Sequence, residues 1–149
     1  MQGSNEGAEV YVNEPSNQTM GATSIGPDQA RRCIDAYIDA WNEPQADTRR
    51  QILAEVMADD AVYADPAAQL DSRAALAEYI GVVLDKHPGR RIVRTSGVDA
   101  HNLVCRFNWR LVRADGTQGQ ESVDFVDFAG DGRIRRVTGF FGPLTPAEE

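Results

Sequence analysis

An α+β fold is predicted for this chain by three features. Apolar residues recur at helical spacing through its N-terminal half. Alternating apolar runs, joined by turn sequences, fill its C-terminal half. No later helix separates those runs, which argues against a βαβ repeat. The architecture expected is three N-terminal helices packed on a strongly curved antiparallel sheet of four strands, forming a cone with a cavity between the layers.

Residues 1–26 are rich in Gly, Ser, Asn and Glu and lack periodicity, so a flexible arm is expected there. Tyr11 and Val12 are its candidate anchors, on the body or on a second subunit, and Asn17-Gln18-Thr19 reads as a chance sequon. The domain proper is expected over 27–143, with a tail at 144–149. Pro27 and Asp28 suit a first helical turn. Ala30, Cys33, Ile34, Tyr37, Ile38 and Trp41 then mark one face, and Asn42-Glu43-Pro44 ends the helix. A second helix is expected from about Asp47, with Ile52, Leu53, Val56 and Met57 inward. Asp59-Asp60 breaks that pattern before a short strand, Ala61-Val62-Tyr63-Ala64, closed by Asp65-Pro66. Ser72 caps a third helix that carries Leu76, Tyr79, Ile80, Val83 and Leu84, and Pro88-Gly89 stops it. Strands are expected near 90–96, 103–113, 118–129 and 133–141. Asp115-Gly116 and Gly130-Asp131-Gly132 supply the hairpin turns.

The 149 residues suit one domain, and 42% hydrophobic content is enough for a core. No apolar run approaches a membrane span, and the N-terminus has no basic or apolar leader, so a cytoplasmic protein is expected. A net charge of −8 argues against nucleic acid and against anionic membrane as partners. Cys33 and Cys105 fall on apolar faces and read as reduced core thiols, although spacing leaves a disulfide open. No Cys/His cluster has metal-ligand spacing, and no cofactor is expected.

The most informative residue is Asp124, within Ser122-Val123-Asp124-Phe125-Val126-Asp127-Phe128. A carboxylate in an apolar strand is costly unless it is paired or keeps its proton. Asp124 shares a strand face with Val126 and Phe128, and Asp127 shares the other with Val123 and Phe125. Periodicity alone does not choose which acid points inward. On the strand at 103–113, Cys105, Phe107, Trp109 and Leu111 make an apolar face suited to lining a pocket or to an ordinary core. The opposite face, Val104, Arg106, Asn108, Arg110 and Val112, is more polar.

Three segments resemble the ketosteroid isomerase branch of the NTF2-like (SnoaL-like) superfamily. Tyr37-Ile38-Asp39-Ala40-Trp41-Asn42 is similar to that branch's first-helix segment with its catalytic tyrosine. Asp59-Asp60-Ala61-Val62-Tyr63-Ala64-Asp65-Pro66 is similar to the segment that ends in its catalytic Asp-Pro. Asp124 precedes Gly139-Phe140-Phe141-Gly142 as the branch's second acid precedes its closing Phe-Gly. The resemblance implies an NTF2-like (cystatin-like) cone in which Asp65 is a general base, and Tyr37 and a protonated Asp124 hold an enolate oxygen. It also implies a small apolar or polycyclic ligand bounded by Trp41, Tyr79, Phe107, Trp109, Val126, Phe128 and Phe141. A homodimer formed through the outer sheet face is implied by analogy.

Structural readings compete at each position. Tyr37 also fits a core tyrosine, and Asp65-Pro66 also fits a turn. The branch places a supporting tyrosine on the third helix where this chain has Ile80, with Tyr79 adjacent, and Trp109 is bulky enough to narrow the pocket. His87 and His101 read as surface residues, so a dehydratase is not favoured. The epoxide-hydrolase branch needs an acid where Arg106-Phe107-Asn108 and Thr138-Gly139 offer none. Arg133, Arg135 and Arg136 read as a solvated or intersubunit surface. The activities carried forward are an isomerase that moves a proton on an enolisable ketone, a SnoaL-like polyketide cyclase, and a non-catalytic ligand-binding domain.

Overall fold

Helix α1 begins where Pro27 fixes a helical φ and runs Pro27–Trp41, burying Ala30, Ile34, Tyr37, Ile38 and Ala40. The computed structural model describes residues 22–148. Tyr11, Val12 and the sequon at Asn17 lie outside them. Of the expected flexible arm, residues 22–26 are held in place. The Ala22 N–H donates to the Gly130 carbonyl at 3.1 Å and that of Ile25 to the Asn102 carbonyl at 2.8 Å. Ile25 is 5% exposed, because its side chain completes the core edge.

Helix α2 spans Ala46–Val56 and buries Leu53 and Arg49. Arg49 was not expected inside. Its Nε donates to the Ala77 carbonyl at 3.1 Å and its Nη1 to the Glu43 carbonyl at 2.7 Å, so carbonyls satisfy the buried cation. Gly81 leaves room for it, since a Cβ there would stand 2.7 Å from Arg49 Nη2. Helix α3 spans Arg73–Lys86, where Ser72 Oγ accepts from the Ala75 N–H at 3.0 Å as an N-cap. Leu76, Ala77 and Ile80 face the core.

Seven strands follow in chain order: β1 Met57–Asp65, β2 Ala68–Leu70, β3 Arg91–Arg94, β4 Asp99–His101, β5 Val104–Val112, β6 Ser122–Phe128 and β7 Ile134–Phe140. They form one sheet in the order β2-β1-β7-β6-β5-β3, with β4 also on β5. Five strands had been expected, the short one at Ala61-Val62-Tyr63-Ala64 and the four of the C-terminal half. The additions, β2 and β4, have three residues each, too short to show a period. His101 lies in β4, and the turn is made by Asn102 at φ 48. The sheet is mixed rather than wholly antiparallel, because β1 runs parallel to β7. Asp59 and Asp60 do not end an element. They sit exposed inside β1, where the pairing register to β7 shifts between Met57 and Val62.

The helices cover one sheet face, with Ile34, Leu53, Met57, Leu76, Phe128 and Ile134 fully buried between the layers. Asn42, just past α1, acts as an extra strand partner. Its Nδ2 donates to the Ile92 carbonyl at 2.9 Å, and its Oδ1 accepts from the Ile92 N–H at 2.8 Å. Asp35 accepts two hydrogen bonds from Arg94, at 2.9 and 3.2 Å, about two turns earlier along the helix. Cys33 and Cys105 are free thiols, and burial raises their pKa values to about 11 and about 12. No helix among the described residues is long and apolar enough to cross a membrane.

The Asn42 pairing has a measurable consequence. Asn42→Ala strips both hydrogen bonds from a part-buried strand edge and is expected to lower unfolding free energy in urea by about 1–3 kcal/mol. An unchanged denaturation midpoint would refute this anchoring role.

Candidate functional site

Strand register aligns the chemistry. Phe107 pairs with Asp124 across β5 and β6, and Asp124 pairs with Gly139 across β6 and β7. On β1, Tyr63 lies opposite Val137 of β7, so Asp65, two residues on, shares the face of Tyr63 and comes level with Gly139. Gly139, lacking a side chain, makes room for Asp124 beside Asp65. A Cβ there would stand 2.7 Å from Asp124 Oδ1 and 3.5 Å from Asp65 Cβ. The pleat decides between the neighbouring acids of β6. Asp124 is 7% exposed on the helix-covered face with Ser122, Val126 and Phe128. Asp127 lies on the other face, 3.9 Å from Arg136.

A cavity of about 340 Å³ opens between α1, α3 and the sheet. Tyr37, Asp65 and Asp124 all line it, as do Trp41, Tyr79, Phe107, Trp109 and Phe141. Val126 and Phe128, expected as ligand contacts, do not. Each is 1% exposed and packs into the core further along β6. The shared face runs past the end of the cavity, and periodicity cannot mark where the hollow stops.

Asp124 is the buried acid of the site. Trp109 Nε1 donates to its Oδ1 at 3.0 Å. Burial dominates its ionisation and pushes its pKa up to about 7. The Trp109 hydrogen bond works against that shift, and the nearby Asp65 adds to it. Trp109, expected as a ligand contact bulky enough to narrow the pocket, also orients its acid, with its ring edge-on to Phe141 at 6.1 Å.

Asp65 serves two structures at once. Its Oδ1 accepts from the Ala67 and Ala68 N–H groups at 2.7 and 2.9 Å, forming the turn into β2. Its Oδ2 accepts from the Tyr63 hydroxyl. Tyr63 was missed as a site residue, although its place two before Asp65 on one strand was the available signal. Burial, then the neighbouring Tyr37 and Asp65, raise its pKa, so its hydroxyl keeps its proton.

Tyr37 is 1% exposed, and its hydroxyl is a buried polar group with no hydrogen-bond partner. The Trp41 indole lies beside it without reaching hydrogen-bond geometry. Burial, and next the Asp124 carboxyl, hold its pKa well above the usual tyrosine value. Ile80 is wholly buried and gives it no polar support, while Tyr79 lines the cavity and stacks edge-on with Trp41 at 6.2 Å. An unpaired buried hydroxyl costs ~1–3 kcal/mol, so this donor, on a side chain that lines the hollow, has its hydrogen bond still to make.

The far wall was not foreseen. Lys86, His87 and Arg90 line the cavity beside Val82. His87 is exposed, as expected of a surface residue, yet it also borders the hollow. Among the described residues no group of three or more His, Cys, Asp or Glu side chains is placed to hold a metal.

A curved sheet closed by helices, with two acids and a phenol at the base of an apolar hollow, defines an NTF2-like α+β cone. The chain belongs to the SnoaL-like domain family, whose model matches residues 34–137. It is similar to a structure from Agrobacterium tumefaciens, named as a candidate isomerase of the SnoaL-like family. That likeness has 32% identity, covers 78% of this chain and 99% of that one, and has a TM-score of 0.74. An NTF2-like protein of unknown function from Mesorhizobium loti shares the fold at 19% identity and TM-score 0.60, covering 87% of this chain and 98% of that one. A SnoaL-like protein of unknown function from Burkholderia thailandensis does so at 17% identity and TM-score 0.64, covering 80% and 99%. No curated protein matches the sequence.

The burial of Asp124 has a signature in stability. Unfolded, it titrates near 3.8, and folded near 7. Between those values the folded state holds the extra proton, so its contribution to stability is lost as pH rises through that window. Asp124→Asn removes the ionisation. Relative to wild type, the variant is expected to gain on the order of 2–4 kcal/mol between pH 4 and pH 8. A pH-independent difference between the two unfolding free energies would rule out the raised pKa.

Proposed function

We propose that this protein is a ketosteroid isomerase-like enzyme that moves a proton between two carbons of an enolisable ketone or enone. The observation that carries the reading is the unpartnered Tyr37 hydroxyl beside a buried Asp124, both at a cavity that Asp65 also borders. In the first step Asp65 takes a proton from the carbon next to the ketone. The C–H electron pair forms the enolate double bond, and the carbonyl pair moves to oxygen. Tyr37 and a protonated Asp124 donate to that oxygen and stabilise its charge without reorganisation. Asp65 then returns the proton to the conjugated γ-carbon, and the double bond shifts. Oδ1 of Asp65 is committed to the turn, which leaves Oδ2, held by the Tyr63 hydroxyl, as the oxygen for proton transfer. Trp109 binds Oδ1 of Asp124, which leaves Oδ2 to carry the proton that is donated. Trp41, Tyr79, Phe107 and Phe141 supply the apolar surround for a ligand without a cofactor.

The assay is isomerisation of a β,γ-unsaturated ketosteroid and of a smaller cyclic β,γ-enone. Asp65→Asn is expected to abolish turnover, and Asp124→Leu to lower kcat by roughly 10²–10³, the cost of one oxyanion donor. Wild-type kcat should fall as pH rises through about 7, where Asp124 loses its proton. Equal turnover in wild type and Asp65→Asn would eliminate the assigned base.

We also propose a homodimer through the outer sheet face. The β5 residues of that face are polar, but Phe125 and Phe140 of β6 and β7 add an exposed aromatic pair, 43% and 54% exposed with centroids 6.1 Å apart. Sedimentation should give a dimer that Phe125→Glu dissociates, and a wild-type monomer at high concentration would exclude it.

A further inference from the structure

The protein carries a net charge of −8, yet the outer wall of its cavity is basic. Lys86 and His87 are exposed and Arg90 is half-buried, whereas Tyr37 and Asp124 are buried at the other end. The cavity therefore runs from a cationic mouth to a base with acidic and phenolic donors.

A helix end accounts for part of this. Lys86 closes α3 and His87 follows it, where cations complement the helix dipole. Arg90 has no such account. It lies beyond the helix, and among the described residues its guanidinium makes no hydrogen bond and no ion pair, unlike Arg94, which pairs with Asp35. Burial pulls its pKa below the usual arginine range; Tyr79 opposes that shift, and neighbouring Arg113 adds to it. A half-buried cation beside a second one is unfavourable unless an anion completes it. No acid of the mouth does so.

From this placement we infer that the cavity takes an apolar ligand bearing a carboxylate. The anionic end lies among Arg90, Lys86 and His87, and the ring system extends towards Tyr37, Asp65 and Asp124. Arg90 offers the fork geometry that suits a carboxylate, and Lys86 adds an exposed point charge. Val82 and Phe141, 50% and 48% exposed, flank the entrance as apolar contacts for a ligand that is part ring and part acid. Under the reading above, the substrate becomes an oxo acid rather than a neutral ketone. The inference rests on that reading only in treating this cavity as the ligand site.

The test is a matched pair of probes, 6-hydroxy-2-naphthoate and its methyl ester, titrated calorimetrically into the full chain at low ionic strength. The acid is expected to bind about tenfold more tightly than the ester. The gap should narrow in about 0.5 M salt, as charges at a solvated mouth are screened. Arg90→Gln should remove most of it. Lys86→Gln, at an exposed position that tolerates substitution, should narrow it further. Equal affinities for acid and ester would overturn the inference, as would tighter binding of the ester or no binding of either. A preference that survives both substitutions would also overturn it. Because the readout is binding without turnover, it stays separate from the assigned base. An inactive Asp65→Asn enzyme with equal probe affinities would sink the anionic ligand and leave proton transfer standing.

Discussion

The site depends on one constraint, a carboxyl group fixed in an apolar wall with a single indole N–H for company. Trp109 occupies one oxygen of Asp124, and burial supplies the rest of the pressure on its ionisation. Charge is expensive there because the surroundings cannot reorient to solvate it. The neutral acid is therefore the cheaper state over most of the acidic range, and a neutral acid is a hydrogen-bond donor. Phe107 across the strand pair and the buried stretch of β6 keep the wall dry.

The second acid is close and differently treated. Asp65 is bound by two backbone N–H groups and one phenol. These partners suit a carboxylate, whereas Asp124 has one donor and little water. Two like groups near each other thus receive different environments, as the proposed division into donor and base requires. Gly139 makes the proximity possible, since any side chain there would fill the space that Asp124 occupies. The unpartnered hydroxyl of Tyr37, on a side chain that lines the hollow, is the third polar group of the arrangement.

The cavity is also polarised along its length. Its base collects acids and phenols from β1, β6 and α1, and its mouth collects cations from the end of α3 and the segment that follows. The segments are distant in sequence and meet because α3 lies over the sheet.

Much of this was legible in the chain. Helical spacing located α1, α2 and α3, the Asp-Gly and Gly-Asp-Gly turns located the hairpins, and the alternation on β6 named two candidate faces. These are local signals, because propensity, capping and turn chemistry act over a few residues. Tertiary structure decided the remainder. It chose Asp124 over Asp127 for the buried face, ran β1 parallel to β7, and placed Val126 and Phe128 in the core beyond the hollow. It also brought Arg90 to the site from a segment that had no reason of its own to be singled out, and it set Tyr63 and Gly139, from segments the resemblance had marked, beside the acids. Strand period assigns residues to faces, but which face is covered, and where the covering helices stand away to leave a cavity, depends on contacts between elements far apart in the chain.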